Sequence, residues 1–155
     1  MELIDPSFEV FMSEASVGEF NSLQREINHD VVRRLEQLER DKLVSLPICV
    51  KEFLSQKNIS ELCSQHLAMG PMVLTEPVDH LDAPMYQDLP NNRAALMFMM
   101  DHQGCCFWYA VWDKQTQAQT CEVHVLVGGQ DISQLYPTSR NFWGFLCDYA
   151  RKSRA

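Results

Sequence analysis

The chain has no apolar run approaching the roughly 18 to 20 residues that a membrane-spanning helix requires. Its start, MELIDPSFEV, is acidic where a secretory signal would be basic. Together these features predict a protein of the cytoplasm with no membrane contact. Positive charge is also scarce: 13 Lys and Arg stand against 21 Asp and Glu, a formal net charge of −8. Nucleic-acid binding depends on clustered Lys and Arg that neutralise phosphates, so that class is disfavoured. An acidic field favours encounter with a basic protein instead. No internal repeat or low-complexity tract interrupts the 155 residues, and 46% hydrophobic with 22% charged residues is ordinary for a globular chain. One domain over 1–155, large enough for a real core, is expected.

Catalytic signatures are missing as well. Gly-x-Ser-x-Gly, His-Glu-x-x-His and paired Cys-x-x-Cys elements do not occur, and Gly128-Gly129 has no lysine or helix start behind it. The nearest approach to a reactive cluster is Asp101, His102, Cys105, Cys106, Cys121 and His124. A cysteine hydrolase needs a thiolate within hydrogen-bond reach of a histidine. Cys121 and His124 are three apart in one predicted strand, which sends their side chains to opposite faces, and Cys105 and Cys106 diverge likewise. No catalytic residue, metal site or cofactor is predicted. The six cysteines (Cys49, Cys63, Cys105, Cys106, Cys121, Cys147) lie in apolar runs, so they read as reduced, buried small hydrophobes.

What the chain does have is a stretch from Ala94 to Val127 with three runs rich in Val, Phe, Tyr, Trp and Met: AALMFMM, CCFWYAVW and CEVHVLV. Aromatic and β-branched runs between turn residues predict strands. Asp101-His102-Gln103-Gly104 is short enough for a hairpin. In the middle run Cys105, Phe107, Tyr109 and Val111 share one face, and Cys106, Trp108, Ala110 and Trp112 share the other. A strand apolar on both sides needs cover on both, or cover on one and a partner on the other. The ordinary reading is a sheet with helices on its inner face; the sharper one makes Trp108 and Trp112 accessible anchors for a partner.

Around this meander the spacing of Phe20, Leu23, Ile27, Val31, Leu35 and Leu38 predicts a helix from Glu19 to about Leu43. Pro47 at the first position of a second helix leads to Val50, Phe53 and Leu54. Asn58 and Glu61 form a capping-box pattern for a third. Residues 71–93 hold Pro71, Pro77, Pro84 and Pro90 with Glu76, Asp79, Asp82 and Asp88 between them, and Arg93 at the end. Met72-Val73-Leu74 reads as a short strand and the rest as a long acidic surface connection. Thr138 or Ser139 caps a last helix carrying Phe142, Phe145, Leu146 and Tyr149. The fold class is therefore α+β: an antiparallel or mixed sheet built on the 94–127 meander, flanked by N-terminal helices and a C-terminal helix.

Leu46-Pro47 leading to Phe53-Leu54, the polar-Gly turn Asp101–Gly104 entering Cys105-Cys106-Phe107-Trp108-Tyr109, and Asn141-Phe142-Trp143-Gly144-Phe145-Leu146 together resemble the SUKH superfamily. That superfamily includes bacterial immunity proteins and yeast cell-wall synthesis regulators. The likeness covers roughly residues 45 to 150 and leaves 1–44 as an N-terminal helical extension. The sequence departs from the family where Lys57-Asn58-Ile59 lacks the expected Asn-Gly pair. The resemblance implies an α+β fold and a non-enzymatic role, commonly neutralisation of a cognate toxin, often a nuclease, by direct binding. A basic toxin domain is then the expected partner, met by Glu76, Asp79, Asp82, Asp88, Trp108 and Trp112. An adaptor of the same fold that binds a host protein is the main alternative, ahead of a small-molecule sensor or a thiol enzyme.

The cysteine reading is directly testable. Alkylation of the freshly isolated protein under denaturing, non-reducing conditions should label all six thiols by mass spectrometry. A pair protected from label would overturn both this assignment and the cytoplasmic one.

Overall fold

The computed structural model describes residues 26–57, 59, 63, 72–74, 83–101, 103–115 and 121–152. Along the chain lie α1 (His29–Lys42), α2 (Ile48–Leu54), β1 (Met72–Val73), β2 (Tyr86–Leu89), β3 (Arg93–Met100), β4 (Cys106–Asp113), β5 (Glu122–Val127), β6 (Tyr136–Asn141) and α3 (Phe142–Lys152). A 3-10 turn, Ile132–Gln134, precedes β6. The architecture is α+β: these helices and a six-stranded antiparallel sheet. Among the described residues no helix is long and apolar enough to cross a membrane.

The three apolar runs form β3, β4 and β5 as the alternation predicts, each antiparallel to the next. β6 continues the meander on the far side of β5. On the near side, β1 and β2 share one edge of β3: Met72 and Val73 pair with Met100 and Met99, and Tyr86–Leu89 pair with Leu96–Arg93. The register of β3 slips between Met97 and Met99, so that Phe98 is an extra residue. Such a bulge restarts the alternation. Phe98 and Met99 consequently both enter the helix-side core, while Met97 and Met100 lie in the other.

There are two cores because β4 is apolar on both faces. On one side Trp108, Ala110 and Trp112 pack with Val31, Leu35 and Leu38 of α1, Phe53 and Leu54 of α2, and Phe142 and Leu146 of α3. Phe53 sits at its centre, its ring 6.2 Å from Phe98, 5.5 Å from Phe142 and 6.2 Å from Trp143. On the other side Phe107, Tyr109 and Val111 pack with Ala95, Met97 and Leu126 beneath Ala83, Leu74, Leu89, Ile132 and Leu135. The Tyr109 hydroxyl donates to the Pro84 carbonyl at 2.6 Å, so its polar end is not left unpaired there.

Three expectations are corrected. α1 starts at His29: Asn28 caps it by accepting from Asp30 N and Val31 N, and Ile27, placed on the helical stripe, instead bridges Gln56 and is exposed. The buried stripe of α1 belongs to the same core as the sheet. The stretch read as a surface connection contains β2, whose return into β3 uses left-handed backbone at Asn91 and Asn92 (φ 65° and 59°). Thr138 and Ser139 lie in β6, not at a helix cap; Thr138 Oγ1 donates to the Val123 carbonyl at 2.8 Å, and Pro137 is tolerated because the strand is an edge. The cap of α3 is Asn141, whose Oδ1 accepts the Gly144 N–H at 2.7 Å. A Cβ at position 144 would meet that same oxygen at 2.7 Å, which explains the glycine inside a helix. The capping-box pattern at Asn58–Glu61 and the stripe residues Phe20 and Leu23 lie outside the described residues.

α1 ends on Leu43 in the left-handed region, φ 53° and ψ 49°, with the Val44 N–H returning to the Glu39 carbonyl. Glycine is the usual residue there, because a side chain in this conformation costs about 1 to 2 kcal/mol. Leu43 is 92% exposed and recovers nothing by packing. Leu43→Gly should therefore raise the unfolding free energy by about 1 kcal/mol, read as a higher urea midpoint at unchanged slope.

Candidate functional site

The sheet separates Cys121 and His124 from the hairpin that holds Asp101, Cys105 and Cys106. The Asp101 carboxylate serves the hairpin: Oδ1 accepts the Cys105 N–H at 2.6 Å and the Cys106 N–H at 3.0 Å. Gly104, at φ 71°, closes the turn onto the Asp101 carbonyl at 3.0 Å. Cys105 is exposed, a correction to the uniform burial expected of the cysteines, because the strand begins only at Cys106. Burial pushes the Cys106 thiol up, and the neighbouring Asp101 charge adds to it. Burial pushes Cys121 well above the ordinary thiol range, with the adjoining Cys49 second, and burial alone does the same to Cys63. These are protonated thiols, not nucleophilic thiolates. His124 turns to Glu122, Nε2 to Oε2 at 3.0 Å, on the face of the sheet away from Cys121. His102 lies outside the described residues, among which no group of three or more His, Cys, Asp or Glu side chains is placed to hold a metal ion.

Of the four acids, Glu76, Asp79 and Asp82 lie outside the described residues. Asp88 sits on β2, where it accepts from Lys114 Nζ at 3.0 Å and from the Tyr86 hydroxyl at 2.9 Å. These bonds, Lys114's first, hold its carboxyl below the usual range. Asp88 is thus a fixed member of a small array. Lys42 Nζ lies 5.5 Å from the Tyr86 ring centre, and that ring meets Trp112 edge-on at 6.4 Å. Burial, then the bond to Asp88, pushes the Tyr86 hydroxyl above its ordinary range.

The tryptophans are core residues. Trp108 is 9% exposed with its ring 6.2 Å from Phe145, and Trp112 is 3% exposed beneath Tyr86. The helices, with the Tyr86 ring, cover that face of β4, which is the ordinary-sheet arrangement, so neither ring is presented to an approaching protein. Among the described residues Trp112 Nε1–H meets no acceptor.

The accessible features lie elsewhere, where the α1–α2 turn meets β2. Leu43 projects from that turn, and Ile48, the first residue of α2, is 47% exposed five residues on. Next to Lys42 lies β2, an edge strand. Met97 N–H bonds the Met85 carbonyl, so the alternating ladder turns the backbone groups of Tyr86 and Asp88 outward. The Asp88 carbonyl accepts Gln87 Nε2 at 3.0 Å, and among the described residues the Tyr86 N–H and carbonyl and the Asp88 N–H meet no backbone partner. Sequence reasoning overlooked this corner. Its one visible signal was the absence of glycine after Lys42, where the helix ends.

Compared with protein-family models, with curated proteins and with solved structures, the chain matches none significantly.

Thiol chemistry gives the test of this placement. Brief iodoacetamide treatment of the folded protein near pH 8 should label Cys105 first, Cys106 more slowly, and Cys63 and Cys121 only on unfolding, as resolved by timed quenching and peptide mass mapping. A folded-state rate for Cys121 equal to that of Cys105 would mean that the thiolate is stabilised and that the burial argument is wrong.

Proposed function

We propose that this chain is a binding protein without chemistry of its own, an immunity protein that neutralises a toxin by occluding its surface. We place the docking surface at the corner formed by the α1–α2 turn and the outer edge of β2. The observation that carries the reading is Leu43: an aliphatic side chain almost wholly in solvent, on a backbone conformation that disfavours it. Outliers of this kind persist where function retains them, and an exposed aliphatic residue next to Lys42, which lies over Tyr86 of the β2 edge, fits an anchor for a protein partner. The raised thiols and the dispersal of the His, Cys and Asp side chains support a non-catalytic role.

The toxin reading rests on the SUKH resemblance and on charge. A net charge of −8 favours a basic partner, and Glu76, Asp79 and Asp82 supply part of that field in the sequence leading to β2. Asp88, tied to Lys114, contributes position more than free charge. Long-range attraction of this kind sets the association rate, whereas a buried aliphatic anchor sets dissociation.

The experiment is capture of the partner from the native cell, followed by surface-plasmon kinetics at two salt concentrations. Leu43→Asp should speed dissociation, at a cost of about 2 kcal/mol or more if Leu43 is a hot spot. The triple variant Glu76→Gln, Asp79→Asn, Asp82→Asn should slow association and flatten its salt dependence. Unchanged dissociation for the Leu43 variant would move the docking surface elsewhere. A captured partner with no toxic activity would replace the immunity reading with that of an adaptor.

A further inference from the structure

Two thiols from different layers of the fold meet inside the helix-side core. Cys49 lies in the first turn of α2 and Cys121 immediately precedes β5, and their sulfurs are 3.6 Å apart although 72 positions separate them in the chain. Cys49 is 1% and Cys121 6% exposed. The Cys121 backbone is a junction in its own right, its carbonyl accepting the Phe142 N–H at 2.9 Å where α3 begins. The pair therefore stands where α2, β5 and α3 converge. A disulfide brings two sulfurs to about 2.05 Å. From 3.6 Å that is a short approach, within reach of side-chain rotation and a small backbone adjustment.

We propose that Cys49 and Cys121 form a peroxide-responsive disulfide that fastens α2 to the start of β5. When the core opens locally the Cys121 thiol ionises, and its thiolate attacks one oxygen of hydrogen peroxide; the O–O bond breaks, the leaving hydroxide takes up the proton that the thiol released, and water departs from a sulfenic acid. The Cys49 sulfur then attacks the sulfenic sulfur. The S–O bond breaks, the departing hydroxide takes the Cys49 proton, and a second water leaves. Two thiols are oxidised by two electrons in total, and one peroxide is reduced to two waters.

Neighbouring thiols do not offer the same outcome. Exposed Cys105 meets oxidant first, but Cys106 beside it lies in the strand with its side chain on the opposite face. Oxidation there ends at a sulfenic acid with no resolving thiol on its own face. At Cys121 the resolving sulfur is already in contact, so oxidation ends in a cross-link. Burial keeps the pair reduced until the core opens locally, which makes the response slow and cumulative. Once formed, a link across 72 positions restricts the unfolded chain and raises the melting temperature.

The test uses the full chain carrying Cys105→Ser, which removes the fast-reacting exposed thiol. The folded protein is treated with hydrogen peroxide, quenched with catalase and unfolded in excess N-ethylmaleimide without reductant, then mapped by peptide mass and melted by circular dichroism. The expected result is a linked pair of peptides holding Cys49 and Cys121, released by dithiothreitol, with a melting temperature several degrees above that of the reduced protein. Adding Cys63→Ala should leave the link in place, and adding Cys121→Ser should remove both the link and the melting shift. The proposal is overturned if both thiols remain alkylatable, if Cys121 proceeds to sulfinic acid with Cys49 free, or if the link forms only after unfolding in urea. Should the Cys121 variant fail to fold, the peptide map of the Cys105→Ser protein decides alone.

Discussion

The fold depends on one constraint: β4 has no polar side. From Phe107 to Trp112 every side chain is buried, so the strand has to be sandwiched between neighbours in the sheet and between layers above and below it. β3 and β5 satisfy the first demand through their ladders. The second is met unequally. One face receives helices, whose stripes supply Leu35, Phe53, Phe142 and Leu146, and the other receives short segments that bring Ala83, Ile132 and Leu135. Helices cover a sheet face more completely than loops, so the larger rings, Trp108 and Trp112, lie on the helix side. The bulge at Phe98 follows from the same demand. It turns one more aromatic ring towards Phe53 and Phe142 without displacing Met99 from that core.

Much of this was legible in the sequence because period-2 patterning survives translation into a sheet. From Cys106 to Trp112 the residues assigned to each face of β4 are those found there, whereas Cys105 precedes the strand. β2 and β6 were not legible, and for the same reason. YQDL and YPTSRN are edge strands with one pairing partner each, so half of their surface faces water and their composition resembles that of a loop. Pro84 and Pro90 around the first and Pro137 within the second strengthened that impression. Edge strands are where proline is compatible with a sheet, so proline near a polar run separates edge from centre more reliably than strand from loop. The first turn of α3 was obscured by the same misreading, since β6 passes into it through Asn141 without an intervening loop.

The candidate site was less legible than the fold. Alternation shows that both faces of β4 are apolar, but it cannot show which one another protein would cover, and the large aromatic rings drew attention to the face that α1, α3 and β2 already occupy. The acids had the opposite difficulty. Charge is readable from sequence, but whether a carboxylate is free or committed is a matter of geometry, and Asp88 is committed to Lys114 and Tyr86. Leu43 carries only a negative signal, the absence of glycine after Lys42. A leucine after a helical stripe reads as one more stripe residue, and only its backbone angles and exposure set it apart.

Why the α1–α2 turn holds Leu43 there can be followed through its neighbours. Leu38 before it and Val44 and Leu46 after it are buried, so the chain must reverse direction within a few residues while keeping three anchors in the core. Glu39 fixes the far side of the reversal: its carboxylate accepts the Leu46 N–H at 2.9 Å and pairs with Lys51 at 3.1 Å. Val44 N–H returns to the Glu39 carbonyl, and Leu43 just before it takes the left-handed conformation. The conformation is thus imposed by the core, but the identity of the residue is not, since glycine would meet the same requirement at lower cost. A side chain held outward on a turn fixed at both ends loses little freedom when a partner covers it, because its backbone was ordered by folding. The same anchoring that makes leucine expensive at this position makes it effective as a contact.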